Sequence, residues 1–216
     1  MLSEALRWGA DLHTVVTAEE NNLPSLPDSV RQVTVPESLL QAMADTETPQ
    51  GVLFLCGMPS LNPPSTLTGN RYLVLDGVQD PGNVGTVLRT ADAFSVDGVV
   101  LVNNCADPFS PKTVRSTMGA VFRIPVWETD PDSLCKLLRE AEISLFAAAL
   151  RPDAADVRSI GLSRAAVVIG SEGRGVSDEV LSLADRTLII PMTSRCESLN
   201  AAVAAAVITW EMFRAK

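Results

Sequence analysis

Three short stretches hold residues able to do chemistry. Asn83 and Arg89 lie in Asp80-Pro81-Gly82-Asn83-Val84-Gly85-Thr86-Val87-Leu88-Arg89. Glu172 lies in Gly170-Ser171-Glu172-Gly173-Arg174-Gly175, and Ser198 and Asn200 follow Ile190-Pro191-Met192 in the next stretch. Glycines without a Cβ let backbone N–H groups come close to a ligand. The apolar runs Ala165–Ile169 and Leu188–Ile190 end in glycine or proline beside a helix start, a suitable wall for a small-molecule pocket. A helix N-terminus attracts anions, so Ser198 can serve as both N-cap and phosphate contact. Asp80-Pro81-Gly82-Asn83 is a helix start, and Asn83 either caps it or offers its amide to a ligand. Arg89 lies six residues on, about 600° of helical rotation, so it does not share a face with Asn83. Spacing alone makes Arg89 a solvated helix residue, and Glu172 alone is a loop carboxylate.

The elements that must position these groups form a regular alternation. From Arg71 onward, apolar runs at Tyr72–Leu75, Gly98–Val102, Val121–Val126, Ile143–Leu150, Ala165–Ile169 and Leu188–Ile190 are separated by helical segments. Those segments are Gly82–Ser95, Pro111–Met118, Pro131–Ala141 and Ser177–Ala184, and a helix from Leu199 to about Arg214 closes the chain. The runs are continuous rather than alternating, as expected of strands buried on both faces. The expectation is an α/β fold, a parallel doubly wound sheet of six strands. Residues 1–57 read as a partial α/β unit: a helix end over residues 1–10, strands at Leu12–Val16, Gln32–Val35 and Gly51–Cys56, and a helix opened by Pro36. That unit starts in mid-helix, as though an upstream strand were absent. Residues 58–70, with three prolines and no charge, read as a linker before a main domain over 71–216.

Composition narrows the function classes. The chain has 216 residues and a net charge of −9, of which residues 1–60 contribute −6, with only Arg7 and Arg31 as basic groups. A broadly basic nucleic-acid face is excluded, while the rest of the chain can still carry a local basic patch. No apolar run approaches the ~20 residues of a membrane span, and no signal peptide is evident, so a cytoplasmic protein is expected. Cys56, Cys105, Cys135 and Cys196 are scattered, and with His13 as the sole histidine they offer no metal spacing. Free thiols in a reducing compartment are expected. His13 is far from every motif, which leaves a Ser–His–Asp mechanism without support. There is no G-x-G-x-x-G after the first strand of the main domain and no P-loop, against an ordinary dinucleotide or P-loop enzyme.

DPGNVGTVLRTADAF, VVIGSEGRGV and IIPM followed by SLNAAVAAAV, in this order, resemble the three motifs of the SpoU/TrmH family of SPOUT-class RNA methyltransferases. The likeness covers about Tyr72 to Met212, and residues 1–57 resemble a shortened form of the RNA-binding domain that often precedes it. The resemblance implies a C-terminal deep trefoil knot, a homodimer, and S-adenosyl-L-methionine bound by the knot loops. The implied activity is methyl transfer to a ribose 2′-hydroxyl of RNA, either tRNA or rRNA, with neither a metal nor a membrane involved. Matched by position, the catalytic set is Asn83, Arg89, Glu172, Ser198 and Asn200. The cofactor set is Gly170, Glu172, Gly173, Gly175, Ile190, Met192, Ser198 and Leu199. Arg89 would act as base or as electrostatic stabiliser, and Arg115, Arg123, Arg151, Arg174 and Arg195 are candidate phosphate contacts. A catalytically weak RNA-binding or assembly factor with the same fold is the alternative, opposed by the intact motif residues.

Overall fold

A computed structural model describes residues 1–18 and 23–215. The chain divides into two compact units, Met1–Pro59 and Ser60–Lys216. The first unit contains α1 (Leu2–Arg7), β1 (Leu12–Ala18), β2 (Arg31–Val35), α2 (Glu37–Met43) and β3 (Val52–Cys56). Its sheet has the order β2-β1-β3, with β1 parallel to β2 and antiparallel to β3. Ala5, Val15 and Leu40 are fully buried. Pro36 stands just ahead of α2 as its N-cap. His13 is exposed and bonded to Asp11 at 3.0 Å.

The second unit runs β4 (Arg71–Asp76), α3 (Pro81–Ala93), β5 (Gly98–Val102), α4 (Pro111–Thr117), β6 (Val126–Glu128), α5 (Pro131–Glu140) and β7 (Ser144–Ala148). It continues through β8 (Ala155–Asp156), β9 (Ala165–Gly170), α6 (Asp178–Leu183), β10 (Arg186–Ile189) and α7 (Ala201–Arg214). All seven strands pair in parallel, in the order β6-β5-β4-β9-β7-β10-β8. The continuous apolar runs have a simple cause. Successive strand residues point to opposite faces, and both faces are covered. Leu73, Leu75, Val99, Leu101, Val167 and Ile169 pack with Val87, Leu88, Ile208 and Met212 of α3 and α7. Tyr72, Val74, Val100, Ala166 and Val168 pack with Leu134, Leu138 and Val180 of α5 and α6.

Side chains start the helices. Asp80, Ser110 and Asp130 each accept a backbone N–H from the third helical residue, and each is followed by proline at the first position. Met118 takes φ +51 and ends α4 in the left-handed region.

Two expectations need correction. The run Val121–Val126 is not a strand. Its first residues form a 3₁₀ turn, Ala120–Phe122, and β6 begins only at Val126. Val121 and Ile124 are buried three residues apart, the spacing of a 3₁₀ turn, and in a β-branched run this resembles a strand. The sheet has seven strands rather than six because β8, two residues long, pairs with the end of β10. So short an edge leaves no periodic trace in the sequence.

Candidate functional site

The parallel sheet puts the carboxyl ends of β4, β7, β9 and β10 at one rim, where open α/β sheets bind ligands. A cavity of about 460 Å³ lies there, within the size range of small-molecule sites. Its walls are Ala148–Arg151 after β7, Ile169–Glu172 and Arg174–Val176 after β9, Leu188–Ile190 with Met192 after β10, and Ser198, Leu199, Ala201 and Ala204. Of the expected cofactor set, Gly170, Glu172, Gly175, Ile190, Met192, Ser198 and Leu199 are in these walls, and Gly173 is not.

Gly170 and Gly175 are needed by the loop itself. A Cβ on Gly170 would come within 2.0 Å of the Gly175 carbonyl carbon, and Gly175 has φ +70. That close approach lets Ser171 and Gly175 exchange two backbone hydrogen bonds, at 3.1 and 2.8 Å. The closed loop presents Glu172.

Side-chain hydrogen bonds join the three motifs. Asn83 Nδ2 donates to Glu172 Oε1, and Asn200 Nδ2 donates to Asn83 Oδ1 at 3.1 Å. Asn83 is free to do this because Asp80 caps α3, accepting the Asn83 N–H at 2.9 Å. That bond is the main reason the Asp80 carboxyl is held below the usual carboxylate range. Asn200 has a second task. Its Oδ1 accepts the N–H groups of Ala202 and Val203 at 3.0 and 3.3 Å, so it caps α7. Ser198, expected as that cap, lies two residues before it and is exposed at the cavity. Its carbonyl accepts the Cys196 thiol at 2.9 Å.

Arg89 stands apart. It is exposed on α3, lines no part of the cavity, and makes no hydrogen bond or ion pair among the described residues. Among the other arginines, Arg151 and Arg174 line the cavity, and Arg195 and Arg115 are exposed. Arg123 is tied to Asp92 at 2.8 Å with both side chains mostly buried, a structural pair rather than a phosphate contact. Glu197 is exposed and without an ion pair among the described residues.

The chain matches the SpoU rRNA Methylase family over residues 70–210. This protein belongs to the SpoU rRNA methylase family. Among its relatives is the 23S rRNA (guanosine(2553)-2'-O)-methyltransferase RlmP of Bacillus subtilis (strain 168), 35% identical over 98% of this chain and 85% of that protein. A putative RNA methyltransferase of the TrmH family from Porphyromonas gingivalis superposes with a TM-score of 0.88. It is 33% identical, over 100% of this chain and 87% of the other. The SpoU methyltransferase AviRb from Streptomyces viridochromogenes, solved with AdoMet, has a TM-score of 0.87 and 26% identity, over 99% of this chain and 86% of that one.

Sequence reasoning missed two features of this region. One is the Ala148–Leu150 wall, which has no motif character. The other is Asp76, a buried carboxylate at the end of β4. A charged residue closing the apolar run Tyr72–Leu75 was the available signal.

Proposed function

We propose that this SpoU chain transfers the methyl group of S-adenosyl-L-methionine to a ribose 2′-hydroxyl of RNA, with ribosomal RNA as substrate. The observation that carries the reading is the hydrogen-bonded junction of Asn83, Glu172 and Asn200, which links three distant motifs at the edge of the cavity. The identity to the 23S rRNA 2'-O-methyltransferase over 98% of this chain supports ribosomal RNA over tRNA.

The cavity fits such a cofactor. Ile169, Leu188, Ile190 and Leu199 offer apolar walls, and the glycine-built loop brings backbone close to the ligand. The cofactor supplies a methyl carbon on a positively charged sulfur, activated for displacement. The chain's part is alignment and handling of one proton. With the cofactor bound, the hydroxyl oxygen would form its bond to the methyl carbon as the sulfur–carbon bond breaks, and the hydroxyl proton would pass to solvent water. Arg89, exposed and without a hydrogen bond or ion pair among the described residues, is assigned to the developing alkoxide, to which its guanidinium would donate. We prefer this to a base role because a guanidinium keeps its proton at any ordinary pH. Ser198 with Arg151, Arg174 and Arg195 is assigned to the RNA backbone.

The same reading includes a homodimer in the cytosol, a compartment that suits the free thiols. On α7, Val203, Val207, Trp210 and Phe213 are each between 36% and 49% exposed. Trp210 and Phe213 form an aromatic cluster with Phe94, an apolar surface suited to a second copy. A trefoil knot in the C-terminal segment is part of the reading too. Support comes from β7 lying between β9 and β10, and from the return of α7 to α3, β4 and β9. The Met1–Pro59 unit is assigned to substrate recognition. Mass-spectrometric mapping of 2′-O-methyl nucleotides in RNA from cells with and without the gene tests the function. The expected result is one ribosomal site lost with the gene, and an unchanged map would contradict it.

A further inference from the structure

Asp76 is 3% exposed and makes no ion pair among the described residues, and the mechanism above does not use it. Both carboxylate oxygens are nevertheless engaged. Oδ2 accepts the backbone N–H of Ser177 at 2.7 Å, and Oδ1 accepts Nδ2 of Asn103 at 2.9 Å. The same Asn103 nitrogen also reaches Ser177 Oγ at 3.3 Å. Asn103 is held for this at φ +56, a conformation that asparagine tolerates better than most residues.

The position of Asp76 gives these bonds a purpose. In the sheet register Asp76 lies opposite Gly170, the residue from which the cavity loop departs. The loop returns at Ser177, whose N–H lies on the Asp76 carboxylate. One residue therefore stands at the exit of the loop and fixes its re-entry, and Glu172 lies between those two points. We propose that Asp76 is a positioning residue for the cofactor loop, acting through Ser177 to hold Ser171–Val176 against the cavity. The proposal rests on the functional reading given above. Hydrogen bonds to a charged acceptor are among the stronger ones, and a buried donor left without its partner is costly. A loop that loses its re-entry point has closed geometries to choose among, and ligand binding must then select one.

Asp76→Asn tests this with little change of shape. The neutral amide removes the charge that strengthens both bonds, and its NH₂ replaces one of the two acceptor oxygens. Asn103→Gly removes the second partner without strain at positive φ. Calorimetry with S-adenosylhomocysteine on the full chain should show affinity weakened about ten- to a hundredfold in Asp76→Asn and less in Asn103→Gly. The double variant should be weaker than Asp76→Asn by less than Asn103→Gly alone costs, because the two changes share the Asp76–Asn103 bond. Hydrogen exchange should quicken at Gly175 and Ser177 while the β4 and β9 amides keep their protection. Affinities within about twofold of wild type in both single variants would overturn the proposal. Exchange that rises equally through β4, β9 and the loop would also overturn it, since that marks general destabilisation. Should Asp76→Asn fail to fold, Asn103→Gly decides alone by the same criteria. A wild-type chain that binds no S-adenosylhomocysteine removes the cofactor reading instead, and the exchange comparison still tests Asp76.

Discussion

Two loops of the cavity are built on different plans. Ser171–Val176 is closed by its own backbone bonds, requires glycine at both ends, and is tied to α3 through Glu172. The segment from Thr193 to Ser198 is exposed at every residue. Its internal ties are one backbone bond, Cys196 N to Thr193 O at 3.3 Å, and the Cys196 thiol on Ser198. The first loop is finished by the chain itself. The second has polar groups free for what binds, and the proposed function assigns RNA to it. On the proposed function, geometry that must be right before substrate arrives belongs to the fixed loop.

The largest expected effect removes a group that neither loop holds. Arg89→Ala should lower methyl transfer about 10²–10³-fold, the usual cost of one electrostatic stabiliser. Affinity for S-adenosylhomocysteine should stay within about twofold, because Arg89 is outside the cavity walls. Single-turnover rates with saturating RNA, beside calorimetry, check this, and a full rate in Arg89→Ala would return the residue to a solvated helix position.

Two glycines in the fixed loop sharpen the comparison. Gly170→Ala drives a Cβ into the Gly175 backbone and should cost about 1–3 kcal/mol together with most of the cofactor affinity. Gly173→Ala meets nothing within 4 Å, so its stability should stay within about 0.5 kcal/mol of wild type. Denaturant melts of the two variants give both numbers, and equal losses would contradict the picture of a loop closed at Gly170.

Hydrogen exchange compares the loops directly. Amides of Ser171, Gly175 and Ser177 are bonded and should exchange slowly without ligand. Those of Ser194, Arg195, Glu197 and Ser198 should exchange fast and gain the most protection when RNA binds. Equal protection in both loops of the free protein would erase the distinction.

The sequence made the architecture readable where burial writes a pattern. Tyr72–Leu75, Gly98–Val102 and Ala165–Ile169 are apolar throughout because helices cover both faces, and these runs mark real strands. Val121–Val126 misled because its β-branched residues match a strand as well as a 3₁₀ turn, and the helix stop before it is a methionine in the left-handed region. Most of the cavity walls were readable through the motifs, but the junction of Asn83, Glu172 and Asn200 was not. Asn83 meets a partner 89 residues away and another 117 away, and that meeting follows from strand order, which local pattern does not encode. The partners of Asp76 were hidden for the same reason, since they are 27 and 101 residues distant.

The smallest expected effect concerns the start of α3, which delivers Asn83 to the fixed loop. The Asn83 backbone N–H lowers the Asp80 pKa in the folded state. The cap therefore stabilises above the unfolded carboxyl value of about 3.9, and this contribution is lost as pH falls through the lower folded value. Asp80→Asn keeps an acceptor at every pH. Its thermal midpoint should fall less than that of wild type below about pH 4, and parallel acid limbs would contradict the assignment.

The central claim is methyl transfer to a ribose hydroxyl, and the attachment point of the methyl tests it most directly. Purified protein is incubated with ribosomal RNA lacking the modification and with S-adenosylmethionine labelled in its methyl group, and the RNA is then hydrolysed in alkali. A 2′-O-methyl group blocks attack on the neighbouring phosphate, so the account predicts label in an alkali-resistant dinucleotide. Label in mononucleotides, which marks a methylated base, or no label at all, would contradict it.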